Sequence, residues 1–337
     1  MRSPDLTRRT ALAGIGAVAL ARPAIAQSLP KITFGTDWLA EAEHGGFYQA
    51  VATGLYRKHG LDVSIRMGGP GVNPPQMIAG GVVDFQMSSG SSGALDAVAH
   101  DIPFLAVAAF FQKDPQCLIA HPGQHDDTLA ELKGKPIMIS AAARSGYWLF
   151  LKARYGFTDA QAHPYNFSMA PFLADPSAVQ QGFVTSEPYQ IEKQGHVKPV
   201  VLLLADNGFS SYSNVVLART ETVQAKPEVV RAFVQASIEG WYSYIYGNPQ
   251  PANEMILRDN KDMTQDVLDN SILLMKQYGL VDSGDALTMG VGAMTDARWK
   301  DFYTLMANAG LYPRDMDYRK AFTTAFVNQK YAIDMHK

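Results

Sequence analysis

The sequence predicts an α/β protein of two lobes, and three observations predict it. Its 337 residues are 47% hydrophobic and 18% charged, enough to bury a large core, and the length suits two ordinary domains. Short apolar runs alternate with helical stretches closed by glycine, the pattern of strand–helix–strand units in parallel sheets. That pattern starts again near residue 135, as it would if two lobes shared one topology.

In order, a first strand is predicted over 31–38, a helix over 46–59 closed by Gly60, and a strand over 61–67 with period-two alternation. A short helix at 73–80, a strand at 82–87, a helix at 93–100 and a buried strand at 103–111 complete the first pass. The second pass holds a strand at 136–140, a helix at 145–155 closed by Gly156, and a strand at 164–167. A short helix at 177–181 and a strand at 183–185 follow. Arg57-Lys58-His59-Gly60-Leu61 and Ala153-Arg154-Tyr155-Gly156-Phe157 end the paired helices alike. Ile78-Ala79-Gly80-Gly81-Val82-Val83 is answered by Ala178-Val179-Gln180-Gln181-Gly182-Phe183-Val184. After Asn214-Val215-Val216-Leu217-Ala218 the chain turns helical. Lys226-Pro227-Glu228 opens a long helix, with proline in the first turn and an acid at the positive end of the dipole. Val230, Val234, Ile238, Trp241 and Ile245 share one face of it, and Asn248-Pro249 ends it. Helices are expected at 252–258, 264–278 and 296–309, whereas the tail from 311 shows no clear pattern.

The 29 basic and 32 acidic residues leave a net charge of −3, which excludes the basic footprint of a nucleic-acid binder. Residues 1–26 read as an export signal. Arg8-Arg9 precede an uncharged stretch over 11–21, and Ala24-Ile25-Ala26 is an A-x-A cleavage site. The paired arginines point to the twin-arginine route. The apolar run is shorter than the ~20 residues a membrane span needs. A mature protein beginning near Gln27 in a bacterial periplasm is expected. The single cysteine, Cys117, excludes an internal disulfide and any Cys-rich metal site, and its apolar neighbours suit a buried thiol. No hydrolase, zinc-protease, Walker or dinucleotide motif occurs, so neither cofactor, metal nor catalytic residue is expected.

The residues carry a family resemblance. Phe34-Gly35-Thr36-Asp37-Trp38, His44-Gly45-Gly46-Phe47-Tyr48, Gly54-Leu55-Tyr56 and Gly60-Leu61-Asp62-Val63 open the chain. This resembles the start of the thiamine-pyrimidine-precursor branch of nitrate, sulfonate and taurine type periplasmic solute-binding proteins. Gly80-Gly81-Val82-Val83-Asp84-Phe85, Thr185-Ser186-Glu187-Pro188-Tyr189 and Ser213-Asn214-Val215-Val216 are similar to later landmarks, and the match spans roughly residues 31–250. The resemblance implies a type II periplasmic binding fold, with lobe one built from 31–113 and 218–337, lobe two from 116–214, and a ligand cleft between them. It also implies two hinge crossings, near 110–115 and 212–219, and closure of the lobes over a small solute.

Ligands of open α/β sheets sit beyond the carboxyl ends of the strands, and four segments fall there. The first carries Trp38, a stacking surface, and His44 near a helix start. The second is Ser88-Ser89-Gly90-Ser91-Ser92-Gly93, from which Ser89 and Ser91 are candidate polar contacts. The third carries Arg144 and Ser145, and the fourth Glu187, an acid in a loop of apolar and hydroxyl residues. Tyr212 is a further stacking candidate.

A carboxylate opposite an aromatic ring suits an amino-substituted heteroaromatic ligand, and the resemblance implies an aminopyrimidine thiamine precursor. Arg144 would instead suit a sulfonate or carboxylate. The expected partners are the permease and ATPase of an ABC importer, with the protein monomeric, although a sensory binder would read the same. The eukaryotic pyrimidine synthase of thiamine formation shares the fold and opening motif. Its lysine, histidine and Cys-rich iron segment find no counterpart in residues 87–92 or 208–213, so binding without chemistry is expected.

Overall fold

The computed structural model describes residues 28–336 apart from 70, 71, 141, 142, 145 and 167. The export-signal segment and Ser145 lie outside the described residues. Ten strands are present among the described residues. They are β1 Lys31–Gly35, β2 Asp62–Arg66, β3 Phe85–Ser88, β4 Phe104–Phe111, β5 Gln116–Ala120, β6 Ile137–Ile139, β7 Ala162–Pro164, β8 Val179–Phe183, β9 Val200–Leu203 and β10 Ser213–Arg219. They form two five-stranded mixed sheets, ordered β2-β1-β3-β10-β4 and β7-β6-β8-β5-β9.

The two orders are one topology used twice. In the first sheet β1 pairs in parallel with β2 and β3, and in the second β6 pairs in parallel with β7 and β8. In each, the fourth strand runs antiparallel to both neighbours: β10 lies between β3 and β4, and β5 between β8 and β9. That reversed strand is always the one the chain supplies just after crossing from the other sheet. The crossings are residues 112–115 and 204–212. β10 belongs wholly to the first sheet, since Ser213 already pairs with Phe111.

Helices flank both sheets: α1 Gly45–Ala52, α2 Leu55–Lys58, α3 Pro74–Ala79, α4 Ser92–Ala99, α5 Tyr147–Tyr155, α6 Ala170–Ala174 and α7 Glu187–Gly195. The C-terminal part adds α8 Thr220–Ala225, α9 Pro227–Tyr246, α10 Gln250–Asp259, α11 Gln265–Tyr278, α12 Ala286–Met289 and α13 Asp296–Asn308. All five residues of the predicted stripe on α9 are buried. This helix packs on α1 at a backbone-close crossing, where a side-chain carbon on Gly240 would meet the Gly46 carbonyl at 2.2 Å and one on Gly46 would meet the Trp241 ring at 2.2 Å.

Four expectations are corrected. The helix predicted over 46–59 is two, α1 and α2, separated at Gly54, whose φ of +72° favours glycine. The first strand stops at Gly35 rather than 38. The strand expected at 164–167 lies at Ala162–Pro164. The short helix expected at 177–181 is instead strand β8, which runs to Phe183, and the helix of that unit is α6. Asp175 explains the shift. Its carboxylate accepts from the Ser177 N–H at 2.9 Å and hydroxyl at 2.7 Å, turning the chain, and β5 and β6 then pair with β8 on both sides. Pairing of that kind outweighs local propensity. The unpatterned tail covers the edge of β4, where the Thr323 N–H donates to Ala106 O at 2.9 Å and Phe322 bridges Ala106.

Candidate ligand cleft

The loops after β1, β3, β6 and β8 lie beyond the carboxyl ends of the parallel strands, where the strand order reverses in each sheet. The loop after β1 is held by Thr36, whose hydroxyl donates to Trp38 O at 2.9 Å while the Gly68 N–H donates to that same carbonyl at 3.1 Å. Trp38 is half-buried in this fixed loop. A one-turn helix, Ala42–His44, follows and drives His44 inward.

His44 is fully buried, and neither ring nitrogen closes a hydrogen bond of normal geometry. Its Nε2 stands 3.3 Å from Asp37 Oδ1 and 3.8 Å from Glu41 Oε1. Glu43 is 3% exposed and accepts from the Thr185 hydroxyl, a contact that joins the first lobe to the loop after β8. The Asn214 amide donates to the Glu43 carbonyl, fixing this turn against β10.

Glu187 opens α7 rather than standing in a loop, and its Oε2 accepts from the Phe183 N–H at 2.8 Å. Burial, with Glu43 nearby, pushes its carboxyl up to about 7. Burial and the neighbouring Glu43, Asp37 and Glu187 carboxylates hold Glu41 well above the usual carboxylate range. Burial also raises Glu43, against the opposing hydrogen bond from Thr185. The structure therefore brings Asp37, Glu41, Glu43 and His44 of one lobe together with Thr185 and Glu187 of the other. Among the described residues no three His, Cys, Asp or Glu side chains converge to hold a metal ion.

The second lobe adds two groups that sequence reasoning missed. Gln180 on β8 is fully buried beside Tyr165, with which it shares a hydrogen bond, and the buried hydroxyl of Tyr147, first residue of α5, is unpaired. Burial holds the Tyr147 hydroxyl well above its ordinary range, and the nearby Cys117, Asp114 and Glu187 add to the rise. The signal for both lay only in position, Gln180 on a strand otherwise apolar on that face and Tyr147 at a helix start.

The other candidates are placed elsewhere. Ser89 is exposed at the tip of the loop after β3, its carbonyl accepting from the Ser213 hydroxyl at 2.5 Å. Ser91 is buried, its hydroxyl accepting from the Tyr212 N–H at 3.0 Å and its own N–H donating to the Ser211 hydroxyl at 3.1 Å, so it staples this loop to the second hinge crossing. Tyr212 is buried in the hinge, with its hydroxyl accepting from the Thr295 N–H at 3.0 Å and the Arg298 guanidinium 4.2 Å over its ring. Arg144 is exposed and donates to Ala162 O at 3.1 Å, at the edge strand β7.

Comparison with known proteins agrees with this geometry. Residues 41–252 match the family model described as NMT1/THI5 like. The chain is 25% identical over 320 residues to the riboflavin-binding protein RibY of Chloroflexus aurantiacus, covering 89% of this chain and 87% of that one. It is 23% identical over 269 residues to a formylaminopyrimidine-binding protein of Halalkalibacterium halodurans, covering 74% and 78%. Among solved structures, the periplasmic aliphatic sulphonate binding protein SsuA of Escherichia coli aligns with a TM-score of 0.65 at 13% identity, over 88% of this chain and 93% of that one. The desulfurization enzyme DSZB aligns with a TM-score of 0.57 at 11% identity, over 91% and 100%. At such identities these structural likenesses speak for the fold, that of two-lobed periplasmic binding proteins. With the matched segment spanning well over half of its length, the chain belongs to the NMT1/THI5-like family.

Proposed function

We propose that the protein is the exported solute-binding component of an ABC importer and that it captures an amino-substituted pyrimidine or a related heteroaromatic, without chemical change, by closing two lobes over it. One observation carries the choice of ligand: Thr185 donates to Glu43 across the cleft, and Asp37, Glu41, Glu43 and Glu187 line it closely enough that burial and mutual repulsion raise Glu41, Glu43 and Glu187, with His44 the one titratable nitrogen among them. Carboxylates accept hydrogen bonds and repel anions, so the site favours a ligand edge rich in N–H donors over a sulfonate. Arg144, the group that would have favoured an anion, is spent at the β7 edge. Buried polar groups are normally hydrogen-bonded, so the unpaired Tyr147 hydroxyl suits the polar rim of a bound ligand. Trp38 would stack on its ring.

The relative named for riboflavin raises a second heteroaromatic. Riboflavin presents one N–H between two carbonyls on its pyrimidine edge, a poorer match to clustered carboxylates than an exocyclic amine. Enzymatic readings draw no support from Cys117, which is buried in β5, donates to Gly182 O at 3.2 Å, and has its thiol pushed well up by burial. A permease and an ATPase are the partners this role requires, and the mature protein would act in the periplasm as a monomer. Among the described residues no helix is long and apolar enough to cross a membrane.

The test is a thermal-shift panel of aminopyrimidines, thiamine, riboflavin, taurine, alkanesulfonates, nitrate and aromatic carboxylates. At about 100 times its dissociation constant a true ligand stabilises the fold by about 2.7 kcal/mol. A melting-temperature rise confined to amino-substituted heteroaromatics is expected, and one confined to the sulfonates would refute the assignment.

A further inference from the structure

We propose that closure of the lobes is proton-linked: as the pH falls the empty cleft closes, because closure sets Glu187 of one lobe against Glu41 and Glu43 of the other, and a ligand bearing N–H donors replaces the protons those carboxylates otherwise need. The proposal rests on the cleft described above, but its test requires no ligand.

The geometry is a cross-lobe contact with charge of one sign on both sides. Thr185 donates to Glu43 across the cleft, and the Ser271 hydroxyl of α11 donates to Thr185 O at 2.7 Å, holding the tip of the second lobe in place. Glu187 follows two residues later. From the first lobe it faces Glu43 and Glu41, with Asp37 and the buried His44 behind them, and Tyr244 of α9 stands beside Glu43. From its own lobe it faces Cys117 on β5, Tyr147 on α5 and Tyr165 beyond β7. Asp114 of the first hinge crossing lies in the same neighbourhood, next to Cys117. His44 is the one group in this set able to carry positive charge.

Carboxylates crowded into a poorly hydrated site resist ionising together. Opening the lobes returns Glu187 to water and to the ordinary carboxylate range near 4.5, whereas in the closed form it titrates at about 7. The closed form therefore binds more protons than the open one. Its advantage is full below the ordinary range and is lost as the pH rises through about 7. A ligand amine placed between the carboxylates supplies the same neutralisation at higher pH.

Small-angle X-ray scattering of the ligand-free mature protein at pH 5.5 and 8.5, at one ionic strength, tests this. A smaller radius of gyration at pH 5.5, reversible and with a midpoint near 7, is expected. Glu187→Gln should reduce the pH response, and so should Glu43→Gln, the second variant should the first not fold. Equal radii at both pH values would overturn the proposal. So would an unchanged response in both variants, which would hand the effect to His44 or Asp114. If the pH response holds while no aminopyrimidine binds, the ligand assignment alone falls.

Discussion

In the proposed receptor Glu187 serves both ligand recognition and lobe closure, and its surroundings decide what a substitution should do. One oxygen of its carboxylate accepts from the Phe183 N–H, and the half-buried group lies near Glu43. Glu187→Gln keeps the shape and removes the charge. Titration calorimetry should show an aminopyrimidine bound about 1.5–3 kcal/mol more weakly, the worth of a charged hydrogen bond. Arg144→Ala should leave that affinity unchanged, since the guanidinium serves Ala162 O. An equal loss in both variants would place the ligand elsewhere. At this scale the sequence was legible where a residue sits at a strand end, as Trp38, His44 and Glu187 do. It was illegible where a hydroxyl or ring could serve either ligand or fold. Ser91 and Tyr212 have ligand-like chemistry, yet long-range partners in the hinge occupy them. Glu41 and Glu43 carry no mark in the sequence, since what distinguishes them is the Thr185 hydroxyl of the loop after β8 on Glu43.

The hinge belongs to the scale of elements, and a single residue of α13 binds its two crossings together. The Arg298 guanidinium donates to Gln112 O of the first crossing, and to Ser210 O and Ser211 O of the second at 3.1 Å each, while lying over Tyr212. Only a planar fork with several N–H groups can span those carbonyls. Arg298→Ala should lower the melting temperature by several degrees, since it leaves buried carbonyls unpaired at about 1–3 kcal/mol each, and Arg298→Lys should recover little of the loss. Full recovery by lysine would show that charge rather than the fork matters. Nothing in the sequence marks Arg298, because it pairs with backbone nearly 90 and 190 residues away. Elements themselves were easier to read. Period-two alternation located β2, and the apolar stripe with its proline start located α9. The unit at 162–183 was misread because its register is decided by the neighbours of β8 and by the Asp175 turn, both outside a local window.

For the whole molecule, one topology used twice accounts for the cleft. Each sheet takes its reversed strand from a chain that has just crossed over, so the chain crosses twice, and the Thr185–Glu43 contact sets the loop after β8 against the loop after β1. That duplication was visible in the paired helix endings at Gly60 and Gly156. The role of the C-terminal part was not, since α11 packs against both α7 and the Ala42–His44 turn, and α13 reaches α5, so it straddles both lobes. We propose this arrangement as an acid-lined receptor for an amino-bearing heteroaromatic that leaves unchanged. Calorimetric titration of the mature protein with formylaminopyrimidine and with an alkanesulfonate, followed by mass spectrometry of the recovered ligand, tests it most directly. Saturable one-to-one binding of the pyrimidine, no heat from the sulfonate, and a ligand recovered at its original mass are expected. Tight sulfonate binding with no response to the pyrimidine, or a recovered ligand of altered mass, would contradict it.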